Sequence, residues 1–75
     1  MNRAETKASL HYEARTTGTA DARTKSEERA AQELVTEGKF MLGGDTIGGW
    51  NWYTLTNEHT AKLRAEGYVV HGSTS

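Results

Sequence analysis

KFMLGGDTIGGWNWYTL, residues 39–55, is the stretch on which the fold turns. Lys39–Leu42 reads as a strand, and the glycine-rich run Gly43–Gly49 as a loop that permits positive φ. Trp50–Leu55 alternates, with Trp50, Trp52 and Thr54 on one side and Asn51, Tyr53 and Leu55 on the other. Two such strands around a short loop predict an antiparallel hairpin.

Downstream, Thr56 has the character of an N-cap, and a helix over 57–66 ends at Gly67. Leu55, His59 and Leu63 recur every four residues, so that helix turns one narrow edge inward. Tyr68–His71 reads as a last strand, and residues 73–75 as a polar tail. Upstream, Thr24 and Glu27 have capping-box spacing. Ala30, Ala31, Leu34 and Val35 share one helical face, and Gly38 follows as a stop, so a helix is predicted over 22–37. Its other positions, among them Glu28, form a solvated charged face. Asn2 and Glu5 repeat the capping spacing, and Ala4, Ala8 and Tyr12 recur at helical intervals up to Gly18. A helix over 3–16 follows. Alternation of Leu10, Tyr12 and Ala14 supports a strand over 8–16 as the competing reading.

The expected fold is therefore a small α+β domain of order ααββαβ, a three-stranded sheet covered on one face by the 22–37 and 57–66 helices, with an N-terminal helical arm. Residues 1–20 form a polar arm or weak helix, and residues 21–72 a single compact unit. The 75 residues and 8.3 kDa leave room for one small domain. Apolar side chains are unevenly placed. Before Leu34 the only ones larger than alanine are Met1, Leu10 and Tyr12, and most of the charge lies in the same half. So thin a core predicts marginal stability for an isolated chain.

Composition also excludes function classes. Without cysteine there is no disulfide, thiolate metal site or thiol nucleophile. A net charge of −1 gives no polyanion-binding excess. No apolar run is long enough to span a membrane, and the N-terminal residues lack a signal-peptide core, which predicts a cytoplasmic location. Gly43–Gly49 lacks the lysine and hydroxyl of a phosphate-binding loop and leads into a strand. His11, His59 and His71 have no zinc-ligand spacing. No nucleophile elbow is present, and so small a fold has little room for a substrate pocket of about 300 Å3 or more. No enzyme, cofactor, metal or small-molecule substrate is expected.

Trp50, Trp52 and Tyr53 are the sharpest feature. Three readings apply to them: core packing, a protein interface, where tryptophan and tyrosine are favoured anchors, or a stacking platform for single-stranded nucleic acid. The balanced charge favours the protein interface over nucleic acid. Leu10 and Tyr12 are the large apolar side chains that the N-terminal arm can add to such a contact.

From Glu37-Gly38-Lys39-Phe40, through Leu55-Thr56-Asn57-Glu58, to Leu63-Arg64-Ala65-Glu66-Gly67-Tyr68-Val69-Val70, the chain resembles small accessory proteins of tailed phages. Gly43–Gly49 is longer than the hairpins of that pattern. The resemblance implies a virion or phage-accessory role without enzymatic activity and transfers no functional residue. The expected function is thus a non-enzymatic interaction module, a small subunit of a larger assembly or a binder of a host protein, with protein association or self-association as its mode. The alternatives are a single-stranded nucleic-acid binder using Trp50, Trp52 and Tyr53, and a small DNA-binding dimer using the N-terminal helices.

Overall fold

Each of the three helices begins on a side chain that accepts an otherwise unpaired backbone N–H. The structure, a computed structural model, describes residues 2–45 and 48–70. Helix α1 spans Arg3–Thr17, and Asn2 Oδ1 accepts from Glu5 N–H at 2.9 Å. Helix α2 spans Lys25–Thr36, and Thr24 Oγ1 accepts from Glu27 N–H at 3.0 Å. The Glu27 carboxylate returns one residue further back than a capping box would, accepting from Arg23 N–H at 2.6 Å. Helix α3 spans Asn57–Ala65 behind the Thr56 cap. Gly18, Gly38 and Gly67 follow the helices with φ of 97°, 80° and 96°, the left-handed region that closes a helix at least cost to glycine.

The buried face of α1 is Thr6, Leu10 and Ala14, whereas Ala4, Ala8 and Tyr12 face solvent. The two sets lie two residues, about 200°, apart around the helix. The one large apolar residue, Leu10, decides which faces inward. Residues 3–17 are therefore helical rather than stranded, and Leu10 and Ala14 belong to the common core. The ion pairs Arg3–Glu33 at 2.6 Å and Lys7–Glu37 tie α1 to the outer side of α2.

The protein is α+β with a three-stranded antiparallel sheet, as the sequence predicts, but the third strand comes from elsewhere in the chain. Strand β1 is Ala20–Asp21, β2 is Phe40–Asp45 and β3 is Asn51–Leu55, in the order β1-β3-β2. Ala20 lies opposite Tyr53, and Ala22 N–H donates to Asn51 O at 3.0 Å, so α2 starts only at Lys25. Residues 68–70 of the expected last strand are not in the sheet, and His71 and the tail lie outside the described residues. Val70 instead enters the core, while Arg15 donates to Val69 O and Arg64 to Val70 O. The element order is accordingly αβαββα.

The strand β2 is also longer than expected. Gly43 and Gly44 belong to it, with a bulge between Leu42 and Gly44 that shifts the register against β3. Helices α1 and α2, rather than the 22–37 and 57–66 helices expected, cover one face, packing onto Phe40, Tyr53 and Leu55, because Leu10 and Ala14 bring the supposed N-terminal arm into the core. Five of the twelve buried apolar residues are alanines: Ala14, Ala20, Ala22, Ala30 and Ala31. They bring the helices close to the sheet but add little apolar area.

Glu28 is not the solvated residue the helical pattern suggests. Its carboxylate accepts from the Tyr53 hydroxyl and from Asn51 Nδ2 at 2.7 Å, and Gln32 Nε2 donates to the same hydroxyl at 2.9 Å. This clamp fixes the central strand to α2. Burial and the adjacent Glu28 carboxylate raise the Tyr53 phenol above its ordinary value.

The Thr60 hydroxyl is buried in α3 without a hydrogen-bond partner among the described residues. Replacing Thr60 with the isosteric valine removes an unpaired polar group. We expect a gain of about 1 kcal/mol, read as a rise of roughly 5 °C in the thermal midpoint. A lowered midpoint would mean that the hydroxyl is satisfied.

Candidate functional site

Two surfaces carry groups that the fold itself does not consume. The first is the side of the sheet turned away from α1 and α2. Alternation sends Tyr53 and Leu55 into the core, which leaves Trp52 and Thr54 on the far face, opposite Met41 across the β2 ladder. Met41 is 49% exposed, and Trp52 and Thr54 are half-buried. The Trp52 indole lies flat on the β2 backbone. A Cβ at Gly43 would sit 2.1 Å from its Cζ3 atom, and one at Gly44 3.1 Å from its Nε1. Two adjacent glycines in a strand thus form a shelf for the ring. Trp50, just before β3, is 37% exposed, and Leu42 on the outer edge of β2 is 56% exposed.

The residues expected to meet a partner therefore separate. Trp50 and Trp52 remain at the surface on the sheet side. Tyr53 is 1% exposed and Leu10 is equally enclosed, so both are core residues and neither can contact a partner in this fold. For Tyr53 the reason is its parity in β3. For Leu10 it is its place on the inner stripe of α1. Tyr12 is exposed, but on α1, where the Arg15 guanidinium lies 5.3 Å from its ring centre and 5.3 Å from that of Tyr68.

That aromatic–arginine stack borders the second surface, an open groove of about 540 Å3 between α1 and α3. So small a fold is expected to leave little room for a space of this size, yet side chains of α1 and α3 line one. At the groove's centre His11 and His59 bring their Nε2 atoms to 2.9 Å, with the rings edge-on at 5.1 Å. One ring donates and the other accepts. Sequence spacing gave no hint of this pair, since the two histidines are 48 positions apart and on different helices. Lys7, Arg15, Lys39 and Lys62 line the groove with Glu37 and Glu66. Among the described residues, no three metal-ligating side chains converge.

Burial lowers the His11 pKa below its ordinary 6.5, helped by His59, Lys39 and Arg15. Burial likewise lowers that of His59, with Lys39 and Lys62 adding and Glu66 opposing. The unfolded chain therefore takes up protons first as the pH falls through 6.5, and the folded state loses stability with acidification. Glu37, held low mainly by its hydrogen bond to Lys7, acts in the same direction but only below its ordinary 4.5. The thermal midpoint should fall between pH about 7.5 and about 5, and the His11→Gln variant should show a flatter profile. An identical slope in that variant would remove the pair as the cause.

The groove's cations are largely engaged. Lys7 and Lys39 both pair with Glu37, and Arg15 donates to Val69 O. On the sheet side no helix among the described residues fills the far face, and Met41 there is exposed. No helix among the described residues is long and apolar enough to cross a membrane. No protein-family model, curated protein or solved structure matches the chain.

Proposed function

We propose that this chain is a non-enzymatic protein-interaction module, a small subunit of a larger assembly, whose contact surface is the uncovered side of its sheet. The observation that carries the reading is the one-sided covering of the sheet. Helices bury Phe40, Tyr53 and Leu55, whereas on the opposite face Met41 is exposed beside the half-buried Trp52. Methionine and tryptophan on a face without a dominant charge are the composition of a protein contact. The small, alanine-rich core supports the same reading, because covering this face would add apolar burial that the chain alone lacks. The resemblance to tailed-phage accessory proteins suggests the kind of assembly, a virion or a phage accessory complex. A base-stacking platform is less well supported, since Tyr53 lies beneath the helices.

A photoreactive phenylalanine analogue at position 50, in the cell that makes this protein, should yield a discrete covalent adduct. The same analogue at position 12 should not. Adducts from position 12 alone, or from neither position, would refute the assignment of the surface.

A further inference from the structure

We infer that the groove between α1 and α3 binds a small organic phosphate, a phosphomonoester whose phosphate group sits over His11 and His59. This site is separate from the uncovered side of the sheet and does not depend on it.

Charge around the histidine pair is one-sided. Lys39 acts on both imidazoles, Arg15 on His11 and Lys62 on His59, and among the described residues the carboxylate that opposes them is Glu66, at His59 alone. The wall of the groove holds Lys7, Arg15, Lys39 and Lys62 against Glu37 and Glu66, although the whole chain carries a net charge of −1. Glu37 pairs with Lys7 and Lys39, and Glu33 also reaches Lys7. Lys62 makes no ion pair among the described residues. Arg15 donates to the uncharged Val69 O, so its charge is not neutralised. A cleft lined by one sign of charge concentrates the opposite ion. The same field repels a metal ion, and two imidazoles alone fall short of a zinc site.

The pair also has the hydrogen-bonding capacity that an oxyanion needs. One Nε2–H is used on the other Nε2 at 2.9 Å. Uptake of one proton gives both rings an Nε2–H, and the two can then turn toward one acceptor. A phosphate dianion is that acceptor and provides the counter-charge, through charge-assisted bonds. Burial and the neighbouring cations keep both imidazoles neutral at pH 7. An arriving dianion therefore brings a proton in with it.

Size sets the rest of the ligand. The groove of about 540 Å3 lies in the range of small-molecule pockets, about 300–1,000 Å3, and exceeds what a phosphate group fills. Ala8, Leu34 and Leu63 give it an apolar wall, and Tyr12 and Tyr68, with Arg15 over both rings, border it. An organic group thus has surface to cover beside the phosphate.

Phenyl phosphate titrated into the labelled protein, with ionic strength held constant by sodium chloride, would test the site by NMR. Saturable shifts should centre on Ala8, His11, His59 and Lys62. Affinity should be at least about fivefold higher at pH about 6.5 than at pH about 8, since the imidazoles take up a proton while lysine and arginine do not titrate there. The ligand's own second pKa, about 6, leaves it mainly dianionic at both values. Lys62→Ala, at an exposed helix position, should weaken binding roughly tenfold and keep the pH dependence. His11→Gln should remove the pH dependence. No saturable shift, or an affinity independent of pH in the unaltered chain, would overturn the inference. Inorganic phosphate binding as tightly as phenyl phosphate would overturn the organic ligand. A phosphoserine peptide or an oligonucleotide binding about tenfold more tightly would overturn the small molecule as its source.

Discussion

Phe40→Ala should cost the chain about half of its stability or more. A chain of this length carries roughly 4–11 kcal/mol of stability in all, and truncating a fully buried phenylalanine costs about 3–5 kcal/mol. Phe40 is one of the two largest fully enclosed side chains, stacked on Tyr53 with ring centres 6.0 Å apart. Many of the other buried side chains are alanines, which cannot reach into the cavity left behind. The expected cost therefore sits at the upper end of that range. Urea unfolding followed by circular dichroism would measure it, and a loss under about 1 kcal/mol would contradict the placement of Phe40 at the centre of the core.

Gly43→Ala should have the second largest effect, because it strikes the shelf rather than the core. The added methyl group would lie 2.1 Å from Trp52 Cζ3 and 2.3 Å from Cε3, within the volume of the ring. The indole has to leave, since the other side of the contact is strand backbone. Losing that packing, together with the strain of displacement, should cost about 2 kcal/mol. In a Trp50→Phe background the emission reports Trp52 alone, and it should shift to the red. Unchanged emission with an unchanged unfolding midpoint would mean that the ring does not rest on the glycines.

Much of the fold is legible in the sequence because it is local. The Asn2, Thr24 and Thr56 caps and the glycines at 18, 38 and 67 delimit three helices with no reference to tertiary structure. The alternation of residues 50–55 separates Trp52 from Tyr53 in advance. What is not legible depends on partners remote in sequence. Ala20–Asp21 has no strand pattern of its own and becomes β1 only because β3 has an edge to pair. Gly43 and Gly44 look like a loop until the Trp52 ring is seen resting on them. Glu28 looks like any charged surface residue until Tyr53 and Asn51 are placed beside it. The candidate sites divide in the same way. Trp50 and Trp52 are visible in the sequence as a pair on one side of the strand, but which side is buried is not, and the His11–His59 contact exists only once α1 and α3 are brought together.

Backbone amide shifts, followed by NMR while the protein is concentrated from the micromolar into the millimolar range, would test the contact surface most directly. Progressive changes should appear at Phe40, Met41 and Leu42 and at the Trp50 and Trp52 indoles, with α1 and α3 unmoved. Changes confined to Tyr12, Tyr68 and the histidine groove would contradict the account.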